Sequence, residues 1–147
     1  MTPLCTIGYE GFTSEEWLDS LVANRVEVVV DVREMPLSRK AGFSKTKLSE
    51  ALGTRNIRYV HLKRLGNPKE YRERLKSGWD FREFEDEFRQ ILDGESEALE
   101  SLLSLAEEHR VCLVCFEEDP AQCHRSIVAD YVARSDSEIR VSHLRYA

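Results

Sequence analysis

Residues 26–32 read VEVVVDV. So short a run, so rich in valine, predicts a strand covered on both faces, as in a parallel sheet between helices. Its neighbours supply the rest of that pattern. Leu4–Gly8 reads as a strand. Thr13 caps a helix with Glu16 placed for a capping box, and Trp17, Leu18, Leu21 and Val22 form its apolar stripe. After VEVVVDV and the loop REMPLSRKAGF, Ser44–Leu52 predicts a short helix with Gly53 at its end. Asn56–Leu62 predicts a third strand. Asn67-Pro68 fits a cap followed by proline at the first helical position.

Asp80–Leu92 is an amphipathic helix, with Phe81, Phe84, Phe88, Ile91 and Leu92 on one side and Gly94 as its stop. Glu97–His109 repeats the pattern. Val111–Phe116 predicts a fourth strand, and Asp119-Pro120-Ala121-Gln122 a capped start for a helix running to about Arg134. Ile139–Leu144 predicts a fifth strand. Alternating strands and helices imply right-handed crossovers and an α/β fold: a single domain over residues 1–147, with a mostly parallel sheet of about five strands and helices on both faces.

At 147 residues one core is expected. No apolar run approaches the roughly 20 residues of a membrane span, and the start MTPLCTIGYEG lacks the parts of a signal peptide. A cytoplasmic protein with no membrane partner is the expectation, its four cysteines (Cys5, Cys112, Cys115, Cys123) reduced. The net charge of −6 excludes indiscriminate coating of nucleic acid. The charge is unevenly placed, however. Asp31–Gly78 holds 13 Lys/Arg against 5 Asp/Glu, and the remainder 8 against 22. A solvated face would account for this, as would a surface for an anionic ligand.

Ligands of open α/β sheets sit beyond the carboxyl ends of the strands. There the chain places Tyr9 after the first strand; Asp31, Arg33, Ser38, Arg39 and Lys45 after the second; His61 after the third; and Cys115, Glu117, Cys123, His124 and Arg125 after the fourth. Cys123 and His124 are expected in a first helical turn, where the helix dipole lowers a thiol pKa and Arg125 clamps an anion in bidentate fashion. The plainer account of Cys123 is a core cysteine on a stripe with Ile127 and Tyr131. Cys115 reads as a buried strand cysteine or a presented nucleophile. The phosphatase loop pattern fails, since Ala121 stands where its arginine would be, and Cys112 and Cys115 face opposite sides of a strand.

His61 is a candidate general base or a backbone-bonded strand-end histidine. Asp31 orients His61 or pairs with Arg33 to order the basic loop. Tyr9 stacks on a ligand ring or covers the core edge. Cys115, Cys123, His124 and His61 are soft ligands, but the adjacency of Cys123 and His124 is awkward for one tetrahedral ion, so no metal set is assigned. A divalent ion on Glu117 is the one cofactor left open.

Four ordered stretches, TIGYEG (6–11), DVREMPLSRKAGFSK (31–45), YVHLKRLGNPK (59–69) and VCFEEDPAQCHRSIVA (114–129), resemble the domain-of-unknown-function 488 (DUF488) family over nearly the whole chain. The resemblance implies a compact α/β single-domain protein of bacterial or archaeal type and supplies no activity. A lesser similarity is to rhodanese-like domains, where Cys115 would carry sulfur and Arg125-Ser126 would start the helix. Against it, Arg125 lies too far from Cys115, and EEDP is acidic where an anion would sit.

The combined expectation is an enzyme-like pocket for a phosphate-bearing partner, a nucleotide or nucleic-acid end. Arg33, Arg39, Lys45 and Arg125 hold the anion, with Tyr9, Ser38 and His124 beside it. His61 with Asp31 moves a proton, Glu117 acts as acid/base or ion ligand, and Cys123 tunes the site or attacks. The alternative is a non-enzymatic nucleic-acid- or partner-binding module on the same basic segment.

Overall fold

The computed structural model describes residues 2–145. In chain order the elements are β1 (Thr2–Gly8), α1 (Ser14–Ala23), β2 (Val28–Asp31), α2 (Lys45–Gly53), β3 (Arg58–His61), α3 (Lys69–Lys76), α4 (Phe81–Asp93), α5 (Ser96–Glu108), β4 (Val111–Cys115), α6 (His124–Ser135) and β5 (Ile139–Leu144). The five strands form one sheet in the order β3-β2-β4-β1-β5, parallel throughout. Two apolar layers cover it. Trp17, Leu18 and Leu21 of α1 and Leu48 and Leu52 of α2 pack on Cys5, Ile7, Val29, Cys112 and Val114. On the other face Phe84, Phe88 and Leu92 of α4, Leu99 and Leu102 of α5 and Ile127 and Val128 of α6 pack on Leu4, Val28, Val30, Val111 and Leu113. The strand residues alternate between the two layers, as the pleat requires.

The local rules work as read for α1, where Thr13 accepts from the Glu16 N–H and Glu16 reaches back to the Thr13 N–H. They shift elsewhere. β2 is shorter than VEVVVDV: Val26 N–H still returns to the Leu21 carbonyl, Glu27 N–H meets the Arg110 carbonyl just before the ladder begins, and Val32 lies past its other end. Pro68, not Asn67, caps α3. The largest correction is after β4. Pro120–Gln122 forms a single 3₁₀ turn whose end, Cys123, is extended (φ −133°, ψ 140°), and α6 begins only at His124. Cys123 therefore caps the helix instead of riding in its first turn.

The connections of β2 and β4 leave in opposite directions, toward β3 and toward β5. Between these two adjacent strands lies the switch point where open α/β sheets hold ligands. Register brings the strand ends level there: Asp31 pairs with His61 and Val114, and Gly8 with Cys115.

Gly8 is required by a close approach. A Cβ on it would stand 1.7 Å from the Glu117 carbonyl oxygen, which belongs to the loop folded over the end of β1. Gly8→Ala is expected to cost about 1–3 kcal/mol and to lift that loop, seen as a lower urea midpoint at unchanged slope. A wild-type midpoint would refute the contact.

Candidate functional site

A cavity of about 780 Å³ opens at the switch point. Its floor is made by Tyr9, Arg33, Cys115, Glu117 and His124, and its walls by the 35–40 loop and by Arg72, Leu75, Lys76, Trp79 and Phe81.

One side of the floor is a buried ion pair. Arg33 donates through Nε to Asp31 Oδ1 (2.9 Å) and through Nη2 to Oδ2 (2.7 Å), and its backbone N–H also reaches Oδ1. The Tyr59 hydroxyl donates to Oδ2 at 2.5 Å. Arg33 Nη1 continues to the Phe43 carbonyl (2.6 Å) and the Tyr9 hydroxyl (3.2 Å). Burial opposes the Arg33 charge, but Asp31 outweighs it and the guanidinium pKa rises above its usual value. Burial, then Asp31, pushes the Tyr59 phenol up, so it stays a donor. Tyr9 stacks on Phe43 at 4.4 Å. This network ties β2 and β3 to the 35–43 loop and shapes the floor.

The other side is a sulfur and imidazole cluster. His124 Nε2 lies 2.6 Å from the Val32 carbonyl, which can only accept, so Nε2 carries a proton and, in the neutral ring, the Nδ1 lone pair faces inward. Cys115 Sγ is 3.7 Å and Cys123 Sγ 4.0 Å from that Nδ1. Cys115 Sγ also lies 3.5 Å from Glu117 Oε2. All three of Cys115, Cys123 and His124 are buried, and the Phe88 ring meets the imidazole edge-on at 5.5 Å. Burial raises the Cys123 thiol pKa well above its usual value. The expected low-pKa thiol at this position is thus corrected: a dry extended cap, with the helix N–H groups beyond it, does not lower it.

The rim is basic. Arg72 pairs with Glu34 at 2.7 Å, and Lys40 Nζ donates to the Tyr9 carbonyl at 3.1 Å. The Arg39 and Lys76 side chains are exposed, with no ion pair or hydrogen bond to another described residue. Met35, Leu37 and Phe116, three exposed large apolar side chains, stand at the mouth. Asn67 is buried in the wall, and its Oδ1 has no partner among the described residues. Ser38 is tied to its own loop, its Oγ accepting from Lys40 N–H.

Of the expected site residues, the cavity gathers Tyr9, Arg33, Ser38, Arg39, Glu117 and His124. Asp31, His61, Lys45, Cys123 and Arg125 lie outside its lining. His61 Nε2 meets the Arg33 carbonyl (2.7 Å), whereas Asp31 is taken by Arg33 and Tyr59, so the expected Asp31–His61 pair is not made. Arg125 is corrected too. Fully buried and outside the cavity lining, it donates to the Glu117 and Glu118 carbonyls and holds the loop over Gly8, so it is not presented to the cavity as an anion clamp. Lys45 is exposed at the first position of α2.

Arg72, Lys76, Trp79 and Phe81 were not expected at the site. The signal was there: 72, 75, 76 and 79 recur at three and four residues, one face of a helix and the turn beyond it.

Fold and site together define an α/β single-domain protein whose cavity sits at the carboxyl ends of a parallel sheet. The chain belongs to the DUF488 family: the family model, described as "Domain of unknown function DUF488", matches residues 13–132. The similarity to rhodanese-like domains is not shown by this match. No curated protein and no solved structure matches the chain. No helix of the described residues is long and apolar enough to cross a membrane.

Proposed function

We propose that the switch-point cavity binds a phosphate-bearing ligand that also carries a ring, a nucleotide or the end of a nucleic-acid strand, and that the protein is an enzyme acting on it. The observation that carries this reading is the pairing of two uncommitted cations, Arg39 and Lys76, with aromatic walls at Trp79, Phe81 and Phe116 around one cavity. The cations suit phosphate oxygens and the rings suit a base. Asn67 also lines the cavity, and its buried Oδ1 has no partner among the described residues. Glu117, the one acid on the lining, stands at the floor for proton transfer. The unpaired cysteines suit a reducing compartment, the cytoplasm.

Calorimetric titration with nucleoside monophosphates, inorganic phosphate and short oligonucleotides tests it. Arg39→Ala and Lys76→Ala are each expected to weaken nucleotide binding about tenfold, the worth of one charge-assisted bond at an exposed rim. Added salt should weaken the wild type more than either variant. Binding of oligonucleotides but no mononucleotide would favour the non-enzymatic module. If none of these ligands binds, the reading falls.

A further inference from the structure

We propose that Cys115, Cys123 and His124 form a three-ligand site for a soft divalent metal ion of the zinc class, with its fourth position open to the cavity. The donor atoms Cys115 Sγ, Cys123 Sγ and His124 Nδ1 all lie within 4.8 Å of one another. Tetrahedral zinc with bonds of about 2.3 Å to sulfur and about 2.0–2.1 Å to nitrogen needs separations of about 3.6 Å between sulfur and nitrogen and about 3.8 Å between sulfurs. The observed sulfur-to-nitrogen separations are 3.7 and 4.0 Å. Little more than side-chain torsion separates this arrangement from a ligand set.

The backbone removes the objection that adjacent residues cannot share an ion. Cys123 is extended and His124 is helical, so the chain turns between them and both side chains reach the same point. The second shell fits as well. A metal-bound histidine gives its other N–H to a carbonyl or carboxylate, which fixes the ring and its tautomer, and here Val32 accepts that N–H.

Without an ion the cluster is poorly explained. Nδ1 has one lone pair, and two thiols face it. Cys115 has Glu117 as a second neighbour, whereas the hydrogen-bond partners of the Cys123 thiol are Cys115 and His124, both members of the cluster itself. An ion would bind both sulfurs as thiolates, and their two charges would neutralise it in this dry place.

Cys115 and His124 line the cavity, and Cys123 lies behind them. The remaining tetrahedral position therefore faces the cavity, beside Glu117, and takes water or a ligand oxygen. Three protein ligands with one open position is the pattern of catalytic rather than structural zinc. The site stands independently of the nucleotide reading.

The test uses the reduced full chain, stripped with a chelator and titrated with cobalt(II) and with zinc. One equivalent of each is expected. Cobalt should give the intense near-ultraviolet absorption of thiolate ligands and the strong visible bands of tetrahedral geometry, and zinc should displace it. Cys123→Ser and His124→Ala should lose these bands, while Cys5→Ala, on the opposite face of the sheet, should keep them. A folded wild-type protein that binds neither ion stoichiometrically, or binds cobalt without thiolate absorption, overturns the proposal. So does a folded Cys123→Ser protein with the wild-type spectrum. The wild-type spectrum decides even if a variant does not fold, and nucleotide titration of the stripped protein reads the other proposal separately.

Discussion

Asp31→Ala is expected to destabilise the protein by about 3–5 kcal/mol, the usual cost of removing one member of a buried ion pair. The carboxylate is fully buried and accepts from the Arg33 side chain, the Arg33 N–H and Tyr59. Without it a guanidinium is left buried beside one hydroxyl and one carbonyl, and the Tyr59 phenol loses its acceptor. Removing the charge as well should recover much of the loss. Asp31→Ala with Arg33→Met is expected to cost less than the sum of the two single changes, because no orphan charge remains. Equilibrium urea unfolding of the four proteins measures this coupling. Strict additivity would show that the pair contributes nothing as a pair. Arg33 also lines the cavity, so inorganic phosphate should raise the Tm of Asp31→Ala more than that of the wild type.

Phe88→Ala should cost a similar amount, about 3–5 kcal/mol. The ring is fully buried, stacks on Phe84 at 5.5 Å and meets His124 edge-on at the same distance. Truncation leaves a void between α4 and α6 that close-packed neighbours fill only in part. Phe88→Leu keeps most of the volume and loses the edge-on contact, so about 1–1.5 kcal/mol is expected. The pair of variants separates packing from ring geometry. Should both prove equally mild, below about 1 kcal/mol, Phe88 would not be the wedge between core and imidazole described above.

Much of this architecture is written in local pattern. VEVVVDV, the cap at Thr13 and the phenylalanine stripe of α4 each answer to neighbours within one or two turns, so strands, helices and the level of the strand ends are readable from them. Strand order is not: nothing in VCLVC says that it inserts between β1 and β2. The same limit divides the site residues. The Asp31–Arg33 pair spans two positions in the chain and was legible as one of two readings. Arg125 has partners eight and seven residues back, chosen by how the loop folds over Gly8, and the sequence offers only a cation after Cys-His. Cys123 was misplaced by one local competition. Pro120 starts a helical turn that ends at once, and a second start at His124 carries the helix.

β1 occupies a position with a temporal consequence. Both of its partners come from the far side of the chain, Val111–Cys115 on one edge and Ile139–Leu144 on the other. During synthesis it emerges before the other four strands and has no neighbour to pair with until β4 follows. A ribosome-bound chain that stops short of Val111 holds three of the five strands, yet only β2 and β3 have a hydrogen-bonded neighbour. The apolar Leu4, Cys5 and Ile7 must then wait, solvated or shielded by a chaperone, until β4 leaves the exit tunnel.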